Sequence, residues 1–230
     1  VIAAASAAEL APLALVLDFG CVITKSVFEL PRAVGTAFDL LPEAFPWRGP
    51  IAPDGDDLWR AMQRDELTER EYWARRAAEI GRLCGRSLDT RTFMVAIYAA
   101  AAESGFRGEV AALTADARAA GMKVGVLTNE LELFHGRDWI ESLPLLREMD
   151  ALVDATHTQI LKPDPRAYVA IAAALNVPLD RALFVDDQLR NVNGARDVGM
   201  PAVHFRIEDV AGSLAEIRRL LGFAPAAQTG

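Results

Sequence analysis

The residues best suited to chemistry in this chain stand directly after runs of apolar side chains. Leu13-Ala-Leu-Val-Leu17 ends in Asp18, Met122-Lys-Val-Gly-Val-Leu127 ends in Thr128 and Asn129, Ile160-Leu161 precedes Lys162, and Arg181-Ala-Leu-Phe-Val185 ends in Asp186 and Asp187. An ionised carboxylate in such a place can accept a cation or attack an electrophile, so Asp18 is the first candidate nucleophile. The plainer reading is a strand-ending Asp that caps the next turn. Carboxylates gathered at one place repel one another unless a cation lies between them. Hard oxygen ligands with no His or Cys nearby in sequence suit Mg2+, which takes a few carboxylates and bridges to substrate phosphate. Lys162 would offset the carboxylate charge and hold a substrate anion, although alone it reads as a solvated loop lysine. Thr128 and Asn129 add a hydroxyl and an amide donor for the same anion.

Such residues act together only if the fold gathers them. An apolar run that stops abruptly at a polar residue reads as a strand buried on both faces and ending at the rim of a parallel sheet. The pattern predicts strands at Leu13–Leu17, Met122–Leu127, Ala151–Asp154, Arg181–Val185 and Pro201–Phe205. Between them lie helical stretches: Glu109 to Ala120 ended by Gly121, a helix N-capped by Asp164 with Pro165 at its first position and running to Leu175, one containing Gly194 and ended by Gly199, and Val210 to Leu221. Alternating strands and helices imply right-handed crossovers and a parallel sheet covered on both faces. All strand C-termini then share one edge, where such sheets bind ligands, so Asp18, Thr128 and Asp186-Asp187 should converge.

From Lys25 to about Gly105 the pattern is different, with no strand of the buried kind. Thr68-Glu-Arg-Glu71 has the form of a capping box, and Tyr72, Trp73, Ala77 and Ile80 follow on one helical face. A second helix starting near Ser87 carries Phe93, Ile97 and Ala101 inward. Leu41 to Pro53 is too rich in Pro for regular structure. This segment reads as a helical insertion whose Trp and Phe residues supply core rather than substrate contacts.

Composition narrows the function. A formal charge of 24 − 32 = −8 argues against a binder of nucleic-acid backbone. Two cysteines, Cys21 and Cys84, make neither a disulfide framework nor a zinc cluster, so a reducing cytoplasm is the expected location. The Ala-rich start, VIAAASAAELAP, lacks the basic start and long apolar core of an export signal and reads as a leader of low order or a short helix. The end from Gly222 reads as a tail. No run approaches the roughly 20 apolar residues that span a bilayer, so no membrane partner is expected. His135, His157 and His204 are scattered and read as structural or surface residues.

Asp18-Phe-Gly-Cys-Val22, Leu127-Thr-Asn129, Lys162-Pro-Asp-Pro-Arg-Ala-Tyr168 and Phe184-Val-Asp-Asp187, with Asn191, Gly194-Ala195 and Gly199-Met200, resemble the four motifs of the haloacid dehalogenase-like hydrolase superfamily, in order and at fitting spacing. Within it the chain is most similar to the branch containing the phosphatase domain of epoxide hydrolase and the domain fused to some acyl-CoA dehydrogenases. The resemblance implies an α/β fold: a Rossmann-like parallel sheet with helices on both faces (residues 1–24 and 106–230) and an inserted all-helical cap (residues 25–105). It implies a Mg2+-dependent phosphatase acting on a small phosphorylated metabolite. Asp18 would be the nucleophile that forms an aspartyl-phosphate, Thr128 would bind the phosphoryl group, and Lys162 would orient both. Asp187 would be the direct metal ligand with Asp186 supporting it, and the Gly20 carbonyl would join Asp18 in the metal's shell.

One position departs from that pattern. Family phosphatases usually carry a second Asp two residues after the nucleophile as general acid and base, and this chain has Gly20. Substrates whose leaving groups need no proton, a substitute acid such as Lys25, Asp39 or Glu43, or little catalysis at all would each be compatible. Two rivals follow. A metal-independent 2-haloacid dehalogenase needs no leaving-group acid, but dehalogenases of this superfamily usually have tyrosine at the Gly20 position and lack the paired Asp. A binding protein would keep the pocket without turnover.

Overall fold

The computed structural model describes residues 11–41, 44 and 47–224. The expected leader and much of the tail lie outside the described residues, as does Glu43. The chain divides into two compact units. One comprises the described residues of Val1–Thr24, Arg107–Leu131 and Leu143–Gly230; the other comprises Lys25–Phe106 and Glu132–Ser142.

The first unit is the α/β core. Strand β1 (Ala14–Leu17) is followed, after the helical unit, by α5 (Gly108–Ala119), β2 (Lys123–Thr128), β3 (Ala151–Asp154), α9 (Pro165–Leu175), β4 (Ala182–Asp186), α10 (Leu189–Asp197), β5 (Ala202–His204) and α11 (Val210–Leu220). All strands are parallel, in the order β3-β2-β1-β4-β5. Every side chain of β1 is fully buried, the outcome expected of a central strand with layers on both faces. Ala14 and Val16 pack with Tyr168 and Ile171 of α9 and Val192 and Ala195 of α10. Leu15 and Leu17 alternate to the opposite face, where α5 covers β1 and β2.

The second unit is built from α1 (Pro31–Phe38), α2 (Asp57–Gln63), α3 (Glu69–Leu83) and α4 (Thr90–Ala101), with α6 (Leu131–His135) and α7 (Arg137–Ser142) contributed by a later stretch of chain. The expected capping box is present: the Thr68 hydroxyl accepts from the Glu71 N–H, and the Glu71 carboxylate accepts from the Thr68 N–H at 2.9 Å. Among the described residues, Phe28, Phe38, Trp47, Trp73 and Phe93 are core and Trp59 packs against them, as expected, while Phe45 lies outside the described residues. Phe28 meets Trp47, Trp59 and Trp73 at ring separations of 6.0, 5.5 and 5.6 Å. A polar knot lies among them. Buried Asp56 caps α2 through the Trp59 N–H, accepts from Tyr72 Oη at 2.8 Å and pairs with Arg76, which also pairs with Glu79.

Two boundaries differ from the sequence reading, which ended the helical segment at residue 105 and left residues 132–142 in the core. Phe106 and Glu132–Ser142 belong to the helical unit because their aromatic side chains are spent there: His135 and Trp139 meet Tyr98 of α4 at 5.3 and 6.0 Å, and Phe106 stacks on Trp139 at 6.3 Å. Arg91 holds the same segment by donating to the carbonyls of Leu133 and Glu132. The stretch Leu41–Pro53 is also not wholly irregular, since Gly49–Ile51 forms a 3-10 turn.

Candidate active site

Parallel strands in matched register bring the predicted residues to one edge. Asp18 follows β1, Thr128 closes β2 and Asp186 closes β4; Leu17 is level with Val126 and Val185. The Asp18 N–H continues the ladder, donating to the Val185 carbonyl at 2.9 Å.

The centre of the edge is a buried ion triad. Lys162 Nζ lies 2.8 Å from Asp18 Oδ1 and 2.6 Å from Asp186 Oδ2, and donates to the Leu127 carbonyl at 3.0 Å. These contacts use all three donors of an ammonium. Lys162 therefore holds Asp18 and Asp186 in place and, in this arrangement, has no N–H to spare for an anion. Beneath it lies the Phe184 ring, 5.4 Å from Nζ, itself packed edge-on against Tyr168. Burial works to strip the proton from Lys162, but the Asp18 and Asp186 carboxylates outweigh it and hold the ammonium above its usual range.

Asp18 is 7% exposed. It also caps the turn that follows, since Oδ1 accepts from the Phe19 N–H at 2.7 Å, as the plainer reading of this residue expects. Burial pushes its carboxyl up from 3.8 to about 7; Lys162 pulls against that shift and the Asp186 carboxylate adds to it. Asp186 is fully buried and heavily bonded. Besides Lys162 it accepts from the Gln188 N–H at 2.8 Å and from Asn191 Nδ2, which is 3.1 Å from both of its oxygens. Asp187 is less buried, and its backbone carbonyl accepts from His204 Nε2 at 2.9 Å. Carboxylate oxygens of Asp18, Asp186 and Asp187 all lie within 4.8 Å of one another.

Other side chains hold these in position. Asn129, read from sequence as an anion donor, instead brackets the backbone of Lys162: Oδ1 accepts from the Lys162 N–H at 2.7 Å and Nδ2 donates to the Lys162 carbonyl at 3.2 Å. Its geometry is that of a positioning residue for Lys162. Asn191 belongs to the quoted motif, but its grip on Asp186 was not visible in sequence; the only signal was a polar residue on the inner face of α10. Gly194 allows that helix to approach, because a Cβ there would sit 2.6 Å from Pro163 Cβ.

The turn after Asp18 is a tight π-type turn, Phe19–Ile23, closed by the Thr24 N–H donating to the Phe19 carbonyl at 3.1 Å. Gly20 has φ −64° and ψ 138°, which any residue adopts, and a Cβ there would meet nothing within 4 Å. The left-handed position is Cys21, at φ 63°, a conformation that costs a non-glycine residue on the order of 1–3 kcal/mol.

Residues 22–199 match the haloacid dehalogenase-like hydrolase family. The match covers more than half of the chain and begins just beyond Asp18 and Gly20. "Phosphatase MT3486" of Mycobacterium tuberculosis is 44% identical over 87 residues, 38% of this chain and 40% of the relative. "Bifunctional epoxide hydrolase 2" of Rattus norvegicus is 28% identical over 207 residues, 86% of this chain and 35% of the relative. This chain thus spans well under half the length of either. Among solved structures, magnesium-bound YfnB of Bacillus subtilis superposes with a TM-score of 0.63 at 13% identity, covering 93% of this chain and 100% of that one, a likeness of fold. Together with a five-stranded parallel sheet carrying acidic residues at its strand ends, these matches show that the chain belongs to the haloacid dehalogenase-like hydrolases.

Proposed function

We propose that this hydrolase is a Mg2+-dependent phosphatase acting on a small phosphorylated metabolite through an aspartyl-phosphate at Asp18. The observation that carries the reading is the buried cluster itself: Asp18, Asp186 and Asp187 within 4.8 Å of one another and a single ammonium, Lys162, between two of them. The residues fit a small divalent cation. They are hard oxygen donors, three carboxylates with one ammonium set between two of them. Asp187, less buried than Asp186, would be the direct ligand with Asp18, and the Gly20 carbonyl would join them. When bound, the cation would neutralise phosphoryl oxygens and favour the ionised form of Asp18.

Asp18 Oδ1 is held by Phe19 and Lys162, so Oδ2 would attack phosphorus in line with the leaving oxygen. The ester P–O bond breaks as the Asp18–phosphorus bond forms, and the leaving oxygen takes a proton from solvent. Water then attacks the same phosphorus, releasing inorganic phosphate and restoring Asp18. Lys162 would keep the nucleophile aligned, and Thr128, which closes β2, would bind the phosphoryl group. With Gly20 where the family usually has an acid, leaving groups of low basicity are favoured. The paired Asp186-Asp187 weighs against a metal-independent dehalogenase.

The test is phosphate release from p-nitrophenyl phosphate, with and without Mg2+, by the protein and its Asp18→Asn variant. Mg2+-dependent turnover lost in the variant is expected. Absence of turnover above background overturns the phosphatase reading; chloride release from a 2-haloacid in the presence of a chelator would then identify a dehalogenase, and absence of both a binding protein.

A further inference from the structure

The geometry points to Arg107 as a positioning residue for the nucleophile turn, an assignment that rests on the phosphatase reading. Arg107 opens the second core segment of the chain, is 4% exposed, and reaches back 86 residues to the loop after Asp18. Its Nε donates to the Cys21 carbonyl at 3.0 Å, and its backbone N–H donates to the Ile23 carbonyl at 3.0 Å. Two carbonyls of one five-residue turn are thus held by one residue. The Cys21 bond matters most, because Cys21 is the residue in the left-handed conformation, which a side-chain-bearing residue leaves unless its surroundings hold it.

The same guanidinium spans to the metal side of the site. It lies over the Phe205 ring, 5.3 Å from its centroid, and the Phe205 N–H donates to the Asp186 carbonyl at 2.9 Å. Arg107 therefore ties the turn carrying Gly20 to the strand end carrying Asp186. It does so through the Cys21 carbonyl and the Phe205 ring face. Its role is to set where the Gly20 carbonyl and the Asp18 carboxylate stand relative to Asp186.

Three variants test this: Arg107→Met, Arg107→Lys, and the double variant Arg107→Met with Cys21→Gly. Gly occupies positive φ without steric penalty, so it should reduce the need for the clamp. The first readout is amide hydrogen exchange of peptides spanning residues 19–24 in the protein without added ligand, with β1 and β4 peptides as folding controls. Exchange in the turn should rise by about tenfold or more in Arg107→Met, the weight of one charge-assisted hydrogen bond. It should rise less in Arg107→Lys and return toward the parent in the double variant. The second readout is p-nitrophenyl phosphate kinetics with Mg2+. The kcat of Arg107→Met should fall by roughly 10- to 100-fold, as expected for sub-ångström misplacement of reacting groups, with KM little changed.

Unchanged exchange in the turn overturns the assignment whatever the kinetics. So does faster exchange with undiminished kcat, or a loss of kcat that the Cys21→Gly change fails to relieve. Should β1 exchange rise as much as the turn, Arg107→Met has only unfolded the core, and Arg107→Lys decides by the same criteria. A parent protein with no phosphatase activity refutes the phosphatase reading, and the exchange experiment alone then decides whether Arg107 clamps the turn.

Discussion

Asp18→Asn should gain stability relative to the parent as the pH of the metal-free protein rises from 5 to 8, although it removes the proposed nucleophile. In the folded chain, burial raises the Asp18 carboxyl from 3.8 to about 7. Folded protein then binds more protons than unfolded protein across that window, so this residue's contribution to stability falls as pH rises from about 4 to about 7. Asparagine is similar in size and can accept from Phe19 and Lys162, but carries no charge, so its variant lacks this pH dependence. At 1.36 kcal/mol per tenfold change in proton affinity, the parent loses on the order of 3 kcal/mol relative to the variant between pH 5 and pH 8. For a chain of this size that corresponds to roughly 5–10 °C of relative shift in melting temperature. The assay is differential scanning calorimetry of both proteins in EDTA at intervals from pH 5 to pH 8. Titrating groups remote from the triad enter both curves and cancel in the difference, which leaves Asp18 and the Lys162 and Asp186 groups it touches. Adding Mg2+ at pH 8 should raise the parent more than the variant, because the ion relieves a charge that Asn lacks. Parallel curves across the pH range would refute the idea that burial raises the proton affinity of Asp18.

Two further perturbations probe separate parts of the molecule. Gly20→Asp should be tolerated, since a side chain fits the backbone and meets nothing within 4 Å. If the missing acid limits turnover, it should raise phosphate release from an alkyl phosphate by up to about 10²–10⁴ while changing p-nitrophenyl phosphate hydrolysis far less; equal effects on the two substrates would show that protonation of the leaving group is not limiting. Asp56→Ala should destabilise the helical unit by about 3–5 kcal/mol, because Arg76 loses a buried partner. All four tryptophans, Trp47, Trp59, Trp73 and Trp139, lie in that unit, so urea unfolding followed by Trp fluorescence reads it selectively, and an unchanged midpoint would count against the knot as a stabilising element.

The order of elements was legible because burial dictates composition. A central strand covered on both faces admits only apolar residues, so Leu13–Leu17 and Arg181–Val185 reveal strands to within a residue of β1 and β4. Capping chemistry is local, which is why Thr68, Asp164 and Pro165 mark helix starts that the structure reproduces. Parallel topology follows from the alternation of strands and helices, and it places Asp18, Thr128, Asp186 and Asp187 at one edge before any coordinates are known. Among the described residues, no helix is long and apolar enough to cross a membrane, in line with the hydropathy pattern.

Tertiary structure decided what each polar residue does at that edge, because hydrogen-bond partners are chosen by approach in space. Residues 33 and 24 positions distant from Lys162 settle its role: Asn129 binds its backbone and Asp186 its ammonium. A donor count that only geometry supplies turns Lys162 from an anion holder into the brace between two carboxylates. The same holds for Glu132–Ser142, whose side chains follow Trp139 and His135 into the helical unit although the sequence places them between two core strands. Sequence by itself determined which residues could meet, through burial and period. Which of them do meet, at what distance and with which proton affinity, was decided by packing, since a carboxyl such as Asp18 acquires its raised proton affinity only when water is excluded and Asp186 is drawn near, against the opposing pull of Lys162.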